Sequence, residues 1–409
     1  MRKIKLRSKE WFDNPKDPGL TALYLERYLN YGLKREDLQS GKPIIGIAQS
    51  GSDLSPCNRH FQSLSKTIKD GIRNAGGVPM EFPTHPIQET GKRPTAALDR
   101  NLSYLSLVEV LFGYPIDGVI LTTGCDKTTP AALMAAATVN IPSIVLSGGP
   151  MLDGNYKGKK AGSGTIIWEA RKLHAKGKIN YDEFMDMAAA SAPSIGHCNT
   201  MGTASSMNSI AEALGMSLPG GAIIPAPYKE RTDISYRTGV RIVEMVFENL
   251  TPAKIMTKEA FENAIYVASA IGASSNCPPH LTAIARNMGV NFGLEQWEKL
   301  GHDIPLLANC QPAGKHLMEG FYKAGGIPAI IKELIKNKKF NCKSLTVTGK
   351  SIEENLNFEI NTDREIIKSY KNPLVENAGF IIMRSNFFNS AVICFDCFCT
   401  LQSHIAICD

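Results

Sequence analysis

The sequence predicts an α/β fold built on a parallel sheet, and three observations carry that expectation. Residues 43–48 are an unbroken, isoleucine-rich apolar run ending at the polar loop Gln49-Ser50-Gly51-Ser52-Asp53-Leu54-Ser55-Pro56-Cys57. A short run of that kind, bounded by turn residues, reads as a fully buried strand. Residues 118–146 give a strand (118–121), a loop (122–129), a helix (130–139) and a second strand (142–146). Two strands joined through a helix imply parallel neighbours. The composition, 43% hydrophobic and 21% charged with 35 glycines in 409 residues, belongs to a globular chain whose core is large enough to enclose a site. It excludes disordered, fibrous and disulfide-stapled classes.

In order along the chain, the first 40 residues read as helical and connecting, with Leu20, Leu23, Tyr24 and Tyr28 at helical spacing. After the 43–48 strand and its loop, Phe61, Leu64, Ile68 and Ile72 share one helix face, and Gly76-Gly77 closes that helix. A second strand follows at 78–82. Pro130 suits the first turn of the 130–139 helix, with Thr128 or Thr129 as its cap. Ligands of open α/β sheets collect outside the carboxyl ends of the strands, and Gly124-Cys125-Asp126-Lys127 falls there. Residues 180–190 read as a helix and 192–201 as a loop. A helix through Ile210, Leu214 and Met216 is expected to stop at Pro219-Gly220-Gly221. Helices with short loops fill 253–334, a Lys/Asn-rich stretch at 337–341 marks a candidate boundary, and 345–347 reads as a strand.

The net charge of +6, from 45 basic and 39 acidic residues, is weak and scattered. Its densest clusters, Arg2, Lys3, Lys5, Arg7 and Lys9 and then Lys336, Lys338 and Lys339, lack interleaved aromatics. A small anionic substrate is expected, and no nucleic acid. The basic start runs into Trp11-Phe12-Asp13-Asn14-Pro15, which predicts no secretory leader. The most apolar segment, 131–151, is broken by Asn140, Pro142, Gly148 and Gly149, short of the roughly 20 apolar residues of a membrane span. The expected compartment is the cytoplasm, where free thiols persist.

Three of the ten cysteines, Cys57, Cys125 and Cys198, each sit in a Gly/Ser/Thr/Pro-rich loop at or just before a predicted helix start. Backbone N–H groups and the helix dipole stabilise a thiolate there. Three converging thiolates suit an iron–sulfur cluster or another soft metal. Spacings of 68 and 73 residues carry no local signature, so three inert buried cysteines are the other reading. Asp126-Lys127 reads either as an ion pair or as part of a Mg²⁺ site, and lysine offers no oxygen ligand unless carbamylated. Glu89 reads as a loop carboxylate, on the surface or at a metal. The runs 147–150 and 162–165 match neither phosphate-binding pattern and read as turns or as loops lining a site. His60, His85, His197 and His280 lie beside these segments as hydrogen-bonding partners. Cys394, Cys397, Cys399 and Cys408 crowd the last 16 residues, and a lone Cys394-Phe-Asp-Cys397 argues against structural zinc.

Ser55-Pro56-Cys57-Asn58, Thr123-Gly124-Cys125-Asp126-Lys127-Thr128-Thr129-Pro130 and Gly196-His197-Cys198-Asn199-Thr200-Met201-Gly202-Thr203-Ala204 resemble the dihydroxy-acid and sugar-acid dehydratase family over roughly residues 30–392. The segment around Glu89 and the stretch 161–168 look most like L-arabinonate and D-xylonate dehydratases. The resemblance implies a 2Fe–2S cluster on Cys57, Cys125 and Cys198, with a 4Fe–4S cluster also compatible. It implies Mg²⁺ on Glu89, Asp126 and a carbamylated Lys127, the lysine with a catalytic part. The implied reaction is dehydration of a pentonate to a 2-keto-3-deoxy acid by a homodimer or homotetramer. A branched-chain dihydroxy-acid dehydratase and a non-catalytic metal-binding fragment are the alternatives.

The family also implies a second, β-rich domain, expected to supply a serine base and a further acidic Mg²⁺ ligand. The expected organisation is therefore a helical segment (1–40), a large N-terminal α/β domain with the cluster and Mg²⁺ sites (41–370), only the start of the β-rich C-terminal domain (371–393), and an aberrant Cys-rich tail (394–409). A frameshifted or prematurely ended reading frame is the expected origin of that tail.

Overall fold

The structure is a computed structural model that describes residues 5–30, 32–88, 97–384, 386 and 391–395. Three short helices, α1 (Lys9–Phe12), α2 (Pro18–Asn30) and α3 (Arg35–Gln39), precede the sheet. The central unit then runs β1 (Ile44–Gln49), α4 (Phe61–Asn74), β2 (Val78–Pro83), α5 (Ala97–Gly113), β3 (Gly118–Thr123), α6 (Thr128–Val139) and β4 (Ser143–Ser147). All four strands are parallel, in the order β2-β1-β3-β4. β1, β3 and β4 are buried at every position, which is why they read as apolar runs rather than as alternation. The chain leaves β1 toward one side and β3 toward the other, so the strand order reverses between them. In open sheets that reversal opens a crevice at the carboxyl ends.

Beyond the sheet lie the β5–β6 hairpin (Gly154–Tyr156, Lys159–Ala161), α7 (Thr165–Ala175) and α8 (Tyr181–Ala189), which close a small separate cluster around Ala161, Ile166, Ala170 and Met187. Helix α8 starts on a capping box between Asn180 and Glu183. The main core continues through α9 (Thr203–Ala213), α10 (Lys229–Glu248), α11 (Pro252–Ile255), α12 (Lys258–Ala270), α13 (Cys277–Asn287), α14 (Leu294–Gly301), α15 (Met318–Lys323), α16 (Gly326–Lys336) and α17 (Ile352–Asn355). An antiparallel hairpin, β7 (Phe380–Arg384) with β8 (Ala391–Phe395), packs on α14, with the Phe380 and Trp297 rings 4.5 Å apart.

Three expectations shift. Helix α6 begins at Thr128, with Lys127 at the N-cap position, so Pro130 falls third in the helix; the first turn's N–H groups have no helical partner in any case. Helix α9 ends before Gly215, whose φ of +82° stops it, well short of Pro219. Residues 345–347 form one isolated bridge, Leu345 with Ser351, and no strand. Among the described residues no helix is long and apolar enough to cross a membrane.

Candidate metal centre

The Cys57 and Cys125 loops leave the carboxyl ends of β1 and β3, the Cys198 loop runs between α8 and α9, and buried side chains lace them together. After β1, Gln49 donates from Nε2 to the Phe61 carbonyl (3.2 Å) and to Glu81 (2.8 Å), while its Oε1 accepts from Gly51 N–H (2.8 Å). Ser50 N–H donates to Thr122 Oγ1 at 2.9 Å, tying the β1 loop to the end of β3. Asn58, fully buried, accepts from the Cys125 N–H at 3.1 Å. A Cβ at Gly124 would overlap Asn58 Oδ1, so only glycine lets these loops approach. From α9, Asn208 donates to the Gly124 and Ala204 carbonyls and accepts from Thr123 and Thr129 hydroxyls at 3.0 Å each. The Cys198 loop docks through Asn199, which donates to the Leu152 carbonyl at 2.8 Å.

Cys125 is buried, and Cys57 and Cys198 are half-buried. The Cys57 thiol is held far above the ordinary thiol range, first by its hydrogen bond with Cys125, then by burial, then by the charge Cys125 and Cys198 would carry. The Cys57 and Cys125 thiols are thus in contact, and Cys198 lies near enough to act on Cys57. Gln88 Nε2 sits 3.6 Å from Cys57 Sγ, and the Cys125 thiol points at Asp126 Oδ1 (3.1 Å). A buried thiol that resists ionisation becomes a thiolate when a cation supplies compensating charge, which is the behaviour of a soft-metal ligand. Among the described residues no three histidine, cysteine or carboxylate side chains close around a point that one ion would fill. Cysteine thiolates are the donors that hold iron–sulfur clusters, and in donor chemistry the three-thiol set fits one.

Beside the thiols lies a second, hard set. Asp126 and Lys127 are both buried, with Lys127 Nζ 3.5 Å from Asp126 Oδ2, an oxygen that makes no hydrogen bond. An oxygen so placed, next to a lysine able to carry a carbamate, fits a Mg²⁺ ligand set. Glu89 lies outside the described residues. Near Lys127, Arg100 Nη1 donates to His280 Nδ1 at 2.9 Å; arginine only donates, so the proton of the neutral ring is on Nε2. Burial first, then the Arg100 and Lys127 charges, push His280 down to about 3. Its Nε2–H is buried without a partner. Of the other cysteines, Cys277 and Cys310 are in the core and Cys342 is nearer the surface; burial raises the first two thiols.

Sequence reasoning passed over Asn208, Arg100 and the buried Arg231. Their types and spacing carry no local signature, because each acts on a segment far away in the chain.

A family model, dihydroxy-acid/6-phosphogluconate dehydratase N-terminal, matches residues 42–355. The chain is 58% identical to a D-xylonate dehydratase of Caulobacter vibrioides, over 95% of this chain and 65% of that protein. It is 42% identical to an L-arabinonate dehydratase of Rhizobium leguminosarum bv. trifolii (93% and 66%) and 44% identical to an L-arabonate dehydratase of Azospirillum brasilense (94% and 66%). It thus spans about two thirds of the length of these relatives. A match that takes in all three cysteine loops and the sheet that carries them leaves one assignment: the chain belongs to the dihydroxy-acid/6-phosphogluconate dehydratase family.

Proposed function

We propose that residues 41–370 are the metal-bearing part of a hydro-lyase that dehydrates a sugar acid, a pentonate such as D-xylonate or L-arabinonate, to a 2-keto-3-deoxy acid. The observation that carries this reading is the lacing of Cys57, Cys125 and Cys198 around one buried neighbourhood with Asp126 and Lys127 beside it. Cys57, Cys125 and Cys198 would hold a 2Fe–2S cluster, and Asp126, Lys127 as its carbamate, and Glu89 would hold Mg²⁺. When bound, these groups supply Lewis acidity at the departing 3-hydroxyl and charge stabilisation for the carboxylate side of the substrate.

The chain's own residues bind and orient. The Arg100–His280 pair offers a neutral, buried Nε2–H donor for a substrate oxygen. The laced loops fix the thiols and Asp126 relative to one another, so that little reorganisation accompanies the reaction. The serine base that removes the C2 proton is assigned, from the family resemblance, to the C-terminal domain. The resemblance and the free thiols support a cytoplasmic homodimer or homotetramer.

The names of the relatives favour a pentonate over a branched-chain dihydroxy acid, whose aliphatic pocket would leave the extra hydroxyls unpaired. The test is an oxygen-free preparation of the 409-residue chain, loaded with iron, sulfide and Mg²⁺ and assayed for 2-keto acid from pentonates and 2,3-dihydroxy acids. Pentonate turnover is expected where the base is present. Iron and sulfide uptake without turnover would favour the non-catalytic metal-binding reading, and failure to bind either would overturn the cluster assignment.

A further inference from the structure

The turn Ser147-Gly148-Gly149-Pro150, at the carboxyl end of β4, is hydrogen-bonded to all three cysteine segments. Gly148 N–H donates to the Thr123 carbonyl at 2.7 Å, two residues before Cys125. The Gly148 carbonyl accepts from His60 Nε2 at 2.8 Å, three residues after Cys57. The Gly149 carbonyl accepts from the His197 N–H at 3.0 Å, and Met151 N–H returns to the His197 carbonyl at 2.9 Å, directly before Cys198. Neither glycine of the turn has room for a side chain. Gly149 has φ +84°, and a Cβ there would overlap the Ile224 carbonyl and stand 2.7 Å from the Arg231 guanidinium; a Cβ at Gly148 would stand 2.8 Å from the His60 ring.

Behind the turn is Arg231 of α10, fully buried. Its Nη1 donates to the Ser147 carbonyl (2.5 Å) and the Gly221 carbonyl (3.0 Å), and its Nη2 to the Ile224 carbonyl. Its Nε makes no hydrogen bond, and among the described residues it forms no ion pair. The nearby Glu212 carboxylate is occupied with the Gly220 and Ala222 N–H groups, at 2.7 and 2.9 Å. Burying a guanidinium on neutral carbonyls alone is costly, and an apolar side chain would fill the same volume more cheaply. What an apolar residue cannot do is hold several carbonyls in fixed directions, which the planar fork of arginine does.

We infer that Arg231 is a positioning residue for the metal centre: by clamping the 147–150 turn it sets the relative placement of the three cysteine loops, and hence of their sulfurs. This rests on the reading of those sulfurs as cluster ligands. His60 completes the brace through its ring and His197 through its backbone.

The experiment compares the unsubstituted chain with Arg231→Lys and His60→Phe, each loaded anaerobically with iron and sulfide. Lysine keeps the charge and loses the fork; phenylalanine keeps the ring and loses only the bond to Gly148. The readouts are iron and sulfide per chain, the cluster's visible and electron paramagnetic resonance spectra, and the rate of iron loss to a chelator. Circular dichroism of the metal-free chains reports folding. Iron loss about tenfold faster or more in Arg231→Lys, with an altered spectrum, is expected, and a smaller acceleration in His60→Phe. A folded Arg231→Lys with unchanged spectrum and release rate overturns the inference. Should that variant not fold, His60→Phe decides, and an unchanged release rate there overturns it equally. An unsubstituted chain that takes up neither iron nor sulfide sinks the cluster reading itself and the inference with it.

Discussion

Two ends of the sheet contrast sharply. At the edge strand β2, the N-terminal helices leave an open cavity of about 650 Å³ lined by Trp11, Tyr28, Phe82, Tyr114 and Ile116, and no lining residue belongs to a cysteine loop. Its order comes from rings: Trp11 stacks on Tyr24 at 4.1 Å, and Phe12 meets Tyr28 edge-on at 5.0 Å. At the carboxyl ends of β1, β3 and β4 the contacts are of another kind. There the loops are packed until glycine is the only residue that fits at 124, 148 and 149, and the order comes from asparagine, histidine and arginine side chains on backbone groups. Chemistry is signalled by buried polar atoms that the fold leaves without hydrogen bonds, such as Asp126 Oδ2 and His280 Nε2–H.

The contrast breaks most easily at the thiols. Cys125→Ser is expected to abolish iron and sulfide binding while leaving the aromatic corner's near-ultraviolet circular dichroism intact; unchanged metal content would remove the basis for separating the two regions. Acidification comes next. His60 is pushed down to about 4 and His280 to about 3, burial being the main cause in both, so each stays neutral when folded while the unfolded chain protonates near 6.5. Their stabilisation is complete above about pH 6.5 and is lost as pH falls toward those values, at about 1.4 kcal/mol per pH unit each. Buried Glu212, raised to about 7, opposes one of them between about pH 4.5 and 7. Buried His197, also pushed down to about 3, is a third such ring, so a net loss of about 5 kcal/mol between pH 6.5 and 4.5 is expected in urea unfolding of the metal-free chain. A flat profile would show that these rings are solvated.

Gly124→Ala forces a methyl onto Asn58 Oδ1 and is expected to cost about 2 kcal/mol in thermal unfolding and to lower iron content as well. Full iron content in that variant would argue that the loops yield more easily than their packing implies. The smallest effect sharpens the other side: Trp11→Ala is expected to cost about 1 kcal/mol from lost stacking, with iron content unchanged.

Much of this fold is legible because its strands are buried on both faces: the runs ending at Ala48, Leu121 and Leu146 lie where β1, β3 and β4 stand. Helix α10 is not legible, since its buried face carries Arg231, Ser235, Thr238 and Gly239 among the apolar residues and so hides its period. It packs against α4 at Gly71 and Gly239, where any Cβ would overlap a facing carbonyl. The neighbourhood of Cys57 and Cys125 follows from strand order and the place of Cys198 from docking on the turn after β4, non-local properties that spacings of 68 and 73 residues do not encode; the motif resemblance supplied it. The Asn58, Asn208 and Arg231 contacts stayed hidden for the same reason.

The order in which the thiols appear along the chain carries a consequence for biogenesis. Cys57 leaves the ribosome long before Cys198, and the brace between them depends on β4, which pairs last within the sheet order β2-β1-β3-β4. Contacts of such long range form late, after the entropy of closing their loops has been met. A growing polypeptide thus offers one or two isolated thiols to stray copper or zinc well before it offers three in register. On the proposed cluster reading, metal selectivity would be set in time as well as in space: the iron–sulfur donor's proper partner would be the folded chain, and any delay in sheet completion would widen the window for the wrong metal.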